Sequence, residues 1–159
     1  MDTTPHSRSP EPERGEAEIV AVARQACAEV FRGTPVFLAY AHGSRVHGRP
    51  TPQSDLDIGY YASNCRPLPL AEEMLLADRL SRRLGVEVDL RNLDQAPLEW
   101  RARVLERGCR IYCSDEIARV TNERNLMVRW FDEHERSARF HDTRLASFAS
   151  AGLGAGTPQ

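Results

Sequence analysis

Six consecutive apolar residues, Val36–Ala41 (VFLAYA), lead through His42 directly into Gly43-Ser44. A run of this length suits a buried strand and is far short of the roughly 18 apolar residues that span a bilayer. The chain must therefore bury one strand that ends abruptly at a glycine. The rest of the sequence must supply elements that pack on it.

Those elements can be read on either side. Glu16–Arg32 carries Ile19, Val22, Ala23, Ala26 and Val30 on one helical stripe, and Gly33 with Pro35 ends it. A short helix is expected from Gly43-Ser44, followed by an Arg49–Ser54 loop containing two prolines. Asp55–Ala62 (DLDIGYYA) reads as a second strand. Pro69–Leu84 is an amphipathic helix with Leu70, Met74, Ala77, Leu80 and Leu84 expected inward and Gly85 as its stop. Val86–Leu90 (VEVDL) alternates with period two and is a third strand. Ala96–Arg107 is helical, and Cys109–Cys113 (CRIYC) is a short fourth strand. From about Asp115 to Ala149 the pattern is a long helical stretch with room for a break, its rough stripe being Ile117, Val120, Met127, Phe131, Ala138 and Leu145. The expected fold is α/β or α+β: three or four strands with helices packed on them and a helical C-terminal stretch. One domain is expected over residues 16–149, between disordered tails at 1–15 and 150–159 that are rich in Pro, Ser, Gly and charge.

Composition narrows the function classes. At 159 residues, 41% hydrophobic and 28% charged, the chain has room for one domain and none for a large substrate domain beside it. The formal net charge of -2, with no basic stripe, gives no footprint for direct nucleic-acid binding. Four cysteines, at positions 27, 65, 109 and 113, form no C-x-x-C pair, so neither a zinc site nor a disulfide framework is expected. The acidic, proline-rich beginning lacks the apolar core of a signal peptide, which makes the cytoplasm the expected compartment and a membrane partner unexpected.

The chemistry concentrates in GSRVHGRPTPQSDLD, residues 43–57. On a strand, Asp55 and Asp57 project to the same face about 6–7 Å apart, while Leu56 and Ile58 point into the core. Two acids side by side repel unless a cation lies between them, and hard divalent cations such as Mg²⁺ prefer such oxygen ligands. On the third strand, Val86, Val88 and Leu90 take the buried side, which leaves Glu87, Asp89 and Arg91 on the polar one. If that strand lies beside the Asp55–Asp57 strand, Asp89 joins the cluster. Three carboxylates then suffice for two metal ions about 3.5–4 Å apart, as in two-metal phosphoryl transfer. A strand running into Gly43-Ser44 and then a helix offers free backbone N–H groups and a hydroxyl to a triphosphate, with Arg45 and Arg49 nearby as further phosphate contacts.

Gly43-Ser44, ten residues, then Asp55-x-Asp57 resembles the GS-x10-D-x-D signature of the polymerase β nucleotidyltransferase superfamily. The small size and the GSRVHG…SDLDI wording are similar to its minimal branch, the MntA-type antitoxins that pair with HEPN-domain RNase toxins in type VII-like systems. The resemblance covers roughly residues 17–147. It implies a small polymerase β-like fold with a mixed sheet, and an enzyme that uses ATP and two Mg²⁺ ions to place AMP on a tyrosine of the toxin, within a hetero-oligomer. Carried over, Asp55 and Asp57 would bind both metals. Asp89 would bind the catalytic metal and help deprotonate the tyrosine hydroxyl, and Gly43 and Ser44 would hold the β- and γ-phosphates. His42 stands where similar proteins usually carry a large apolar residue, and His47 stands where an Arg is common.

Three rival functions remain. A small-molecule nucleotidyltransferase of the aminoglycoside-modifying kind generally needs a larger C-terminal substrate domain. A non-catalytic antitoxin that neutralises by binding alone would have no use for an intact acid triad. An RNA-tailing enzyme would need a basic stripe or RNA module. Two further features stand out. Tyr61 shares the parity of Asp55 and Asp57 and could shape the site, though packing explains it as well. Trp130, Phe131, His134 and His141, on the C-terminal stretch, are candidates for a partner interface.

Overall fold

The computed structural model describes residues 14–48, 51 and 54–152. The elements run α1 (Arg14–Val30), β1 (Val36–His42), α2 (Ser44–His47), β2 (Leu56–Ala62), α3 (Leu70–Leu84), β3 (Val88–Asn92), α4 (Leu98–Arg107), β4 (Cys109–Cys113) and α5 (Glu116–Gly152). A single-turn 3-10 helix at Ser63–Cys65 follows β2. The expected tails fall almost wholly outside the described residues. No described helix is long and apolar enough to cross a membrane.

The four strands form a mixed sheet in the order β3-β2-β1-β4. β1 is antiparallel to both β2 and β4, while β2 and β3 are parallel and joined by the α3 crossover. This is the mixed α+β architecture that the sequence implies. β1 lies between two strands and is buried almost throughout, as its unbroken apolar run requires.

The two faces of the sheet carry different cores. On one, Ala39, Ala41, Leu56, Ile58, Tyr60, Val88 and Leu90 pack with α1 and α3 through Ala23, Cys27, Val30, Leu76 and Leu80. On the other, Leu38, Tyr40, Tyr61, Leu93 and Val104 gather beneath α4, with Trp100 against them. Alternation in β2 sends Leu56, Ile58 and Tyr60 to the first face and Asp57, Gly59 and Tyr61 to the second. Gly59 is needed for packing: a β-carbon there would lie 2.8 Å from the Leu93 side chain, which is fully buried.

Several expectations need correction. In α3, Leu70 and Met74 are exposed, and the buried residues are Leu76 and Leu80. α3 begins at a proline-led first turn whose outer side faces solvent, so its first apolar residues have no sheet beneath them. Val22 of α1 is also exposed. β3 runs from Val88 to Asn92, two residues later than Val86–Leu90. Glu87 already accepts a hydrogen bond from the Leu56 amide at 2.8 Å, and β2 continues far enough for the Leu93 amide to donate to the Tyr60 carbonyl at 2.8 Å. α5 is unbroken over its 37 residues.

The described part of the stripe expected on α5 is largely exposed, Ile117 at 82% and Phe131 at 60%, and among the described residues of the helix Leu126 is the buried one. The side chains of Ala138, His141 and Leu145 lie outside those described. Polar contacts bind α5 to the sheet. The Tyr40 hydroxyl donates to Glu123, and Arg119 pairs with both Glu116 and Glu123 at 2.6 Å. Asp115 caps the helix by accepting from the Ala118 amide at 2.9 Å.

Replacing Gly59 with Ala is expected to overpack the Leu93 contact and lower stability by about 1–3 kcal/mol in urea unfolding. An unchanged midpoint would show that Leu93 can move aside freely.

Candidate active site

Two strand registers cross at Asp57. It is paired with His42 across the antiparallel β1 and with Asp89 across the parallel β3. All three residues occupy the second face, beyond the end of the α4 core. The parallel register is anchored from behind. Ser81 of α3 donates through Oγ to the Ala77 carbonyl at 2.8 Å, and the same Oγ accepts from the Val88 amide at 3.0 Å. This fixes where β3 starts and so which of its residues faces Asp57.

Asp55 lies one residue before β2, yet it keeps the extended side-chain alternation and joins the same cluster. Carboxylate oxygens of Asp55, Asp57 and Asp89 all lie within 4.8 Å of one another. Asp55 is exposed, whereas Asp57 and Asp89 are partly buried. Burial raises the Asp57 pKa, with His42 and Arg91 opposing and the negative charges of Asp55 and Asp89 adding to the rise. Such a cluster is electrostatically costly when empty and becomes favourable around a cation. The all-oxygen donor set fits a hard divalent ion.

Gly43 makes the geometry possible. It has φ +82, and a β-carbon on it would lie 2.0 Å from the Asp57 Oδ2 atom. Any side chain would thus occupy the place of an Asp57 carboxylate oxygen and would also require an unfavourable backbone. Ser44 opens α2, and the Gly43 carbonyl accepts from the amides of Val46 and His47 at 3.2 and 3.1 Å. The backbone bend and first helical turn therefore stand directly beside the acids, as the sequence suggested. Arg45 donates through Nε to the Ser54 carbonyl, tying α2 to the segment that delivers Asp55. Arg49 lies outside the described residues.

His42 is half-buried and meets the Trp100 ring edge-on, with centroids 5.4 Å apart. Burial lowers its pKa, while the charges of Asp57 and Asp89 pull the other way. His47 is exposed. Tyr61 is on the acid face, as its parity requires, but it is buried beneath α4 with the Arg101 guanidinium 5.5 Å from its ring centre. It belongs to the core. Sequence reasoning placed Arg91 on the polar side of its strand but gave it no role. In the structure Arg91 pairs with Asp89 at 2.7 Å. Its i+2 spacing from Asp89 was the available signal, because such residues share a strand face.

A groove between α4 and α5 is lined in part by Val120, Met127, Trp130 and Phe131 and includes none of the three aspartates. The three converging carboxylates are the better guide to chemistry, because only they form an all-oxygen donor set within 4.8 Å among the described residues.

Gly43→Ala is expected to displace the Asp57 carboxylate, weaken divalent-cation binding and cost about 1–3 kcal/mol through the backbone strain. Mn²⁺ titration and denaturant unfolding of the same protein measure both effects. Unaltered Mn²⁺ affinity would disprove the steric link between the glycine and the acid.

The profile of the family described as "Polymerase beta, Nucleotidyltransferase" matches residues 25–117, more than half of the chain. No curated protein matches the sequence. Among solved structures, the chain is similar to one from a toxin-antitoxin crystal structure with AMP-PNP, at 22% identity and TM-score 0.57, over 76% of this chain and 98% of the other. It is also similar to a chain of the MntA-HepT toxin-antitoxin, at 17% identity and TM-score 0.54, over 81% and 98%. A third, from a tri-AMPylated Shewanella oneidensis HEPN toxin in complex with its MNT antitoxin, gives 20% identity and TM-score 0.54 over 79% and 98%. At these identities the structural likeness carries the fold, while the profile match carries the membership. By that match and by the geometry of Gly43 and the three aspartates, the chain belongs to the polymerase β nucleotidyltransferase family.

Proposed function

We propose that this nucleotidyltransferase is a Mg²⁺-dependent protein adenylyltransferase that serves as the antitoxin of a HEPN/MNT pair, moving AMP from ATP to a tyrosine of a HEPN-domain RNase. The observation that carries the reaction type is the convergence of Asp55, Asp57 and Asp89 within 4.8 Å, on strands that also place Gly43 against Asp57. The acceptor reading is supported by fold likeness to toxin-antitoxin chains, one of them in complex with an AMPylated toxin. An open cluster with Asp55 exposed also suits an acceptor presented by another macromolecule.

In this reading Asp55, Asp57 and Asp89 would hold two Mg²⁺ ions, which would supply charge neutralisation at the reacting phosphate. The turn at Gly43 and Ser44 holds the β- and γ-phosphates through backbone N–H groups and the Ser44 hydroxyl. Arg45, in α2, braces the segment that brings in Asp55 and adds positive charge beside the same phosphates. Asp89 takes the proton of the tyrosine hydroxyl. The phenolic oxygen bonds to the α-phosphorus as the bond to the departing pyrophosphate breaks.

Incubation with ATP, Mg²⁺ and a co-purified HEPN-domain RNase is expected to label that protein with AMP. Asp55→Asn/Asp57→Asn should reduce labelling to background, and full labelling by the double variant would overturn the mechanism. Neutralisation in cells separates catalysis from binding: a double variant that still protects cells makes AMP transfer dispensable. If an aminoglycoside is labelled and the RNase is not, the acceptor is a small molecule.

A further inference from the structure

We propose that Arg91 is a built-in counter-ion of the acidic cluster, which an incoming divalent cation must outcompete for Asp89, so that this side chain sets how tightly the cluster takes metal. The proposal rests on reading Asp55, Asp57 and Asp89 as a divalent-cation site.

The geometry is that of a competitor. Arg91 Nε and an NH2 group donate to the same Asp89 oxygen, Oδ2, at 2.8 and 2.7 Å. That oxygen belongs to one of the three carboxylates that converge within 4.8 Å. The three acids together bring three negative charges, and Arg91 neutralises part of that charge when no ion is bound. Its field extends to Asp57 and Asp55 as well.

The position of Arg91 makes the pair easy to break. β3 is an edge strand, and the residue paired with Arg91 on β2 is Gly59, which has no side chain to hold the guanidinium in place. The Arg91 side chain is 65% exposed and that of Asp89 is 31% exposed. An ion pair so open to water is weak, and its arginine can swing into solvent. Arg91 therefore offsets part of the cluster's negative charge without closing it off from solvent. The cost to an arriving cation is electrostatic, because it must displace a unit positive charge or bind beside it.

Mn²⁺ alone, without nucleotide, is the probe, with binding to the full chain followed by the electron paramagnetic resonance of the free ion. Removing the charge in Arg91→Gln is expected to tighten binding about 3- to 10-fold at moderate ionic strength, the gap narrowing as salt rises. Arg91→Lys keeps the charge and should stay near the wild-type affinity, while Asp89→Asn should weaken binding. Equal or weaker binding by Arg91→Gln overturns the proposal, because Arg91 would then orient Asp89 for the metal. Tightening in Arg91→Lys to match Arg91→Gln overturns it as well, since charge would not be the cause. If neither wild type nor Arg91→Gln binds Mn²⁺, the metal-site reading fails and the proposal with it.

Discussion

Asp57 has a carboxylate where burial disfavours its charge and two neighbouring acids disfavour it further. The rest of the site can be understood as the arrangement that makes such a residue tolerable and useful. Its position is imposed from both sides, by the antiparallel register with His42 and the parallel register with Asp89. Neither register can slip without turning Leu56 and Ile58 out of the core, and both are fully buried. The hydrophobic layer beneath the sheet thus holds the polar layer above it in place.

The same constraint explains Gly43 and the α3 crossover. Antiparallel pairing brings the end of β1 alongside the start of β2, so the residue following His42 must pass the Asp57 carboxylate at a distance that leaves no space for a β-carbon. A parallel neighbour cannot be reached by a tight turn, so the chain returns through α3. The hydrogen bonds of Ser81 then set the start of β3. Helix packing on the far face in this way determines which residue of β3 stands among the acids.

Helix α5 lies largely outside the residues matched to the family, 25–117, and is attached by a different kind of contact. Leu126 is its buried apolar anchor, and the Tyr40–Glu123–Arg119 chain of polar contacts joins it to β1. The groove it forms with α4 has none of the three aspartates in its lining.

Much of this was legible in the order of residues. The apolar run of β1, the i, i+2 spacing of Asp55 and Asp57, the alternation in VEVDL and the Gly-Ser after the first strand are local patterns. Local backbone geometry turns each of them into a face, a turn or an element end. The inward faces of α3 and α5 were less legible. Leu70, Met74 and Ile117 have helical periodicity but no surface opposite them, and periodicity alone does not say how far a neighbouring layer extends. Arg91 was visible as a polar strand residue, but its pairing depends on where the Asp89 carboxylate finally points.

The sequence by itself determined the strand face on which each candidate acid lies, because side-chain alternation is a property of the local backbone. Only the tertiary structure decided that β3 runs parallel beside β2 with Asp89 opposite Asp57, that the turn at Gly43 presses against the Asp57 carboxylate, and that Arg91 occupies Asp89. Those relations join segments more than 30 residues apart or depend on side-chain placement, and they are set by the packing of helices against a shared core.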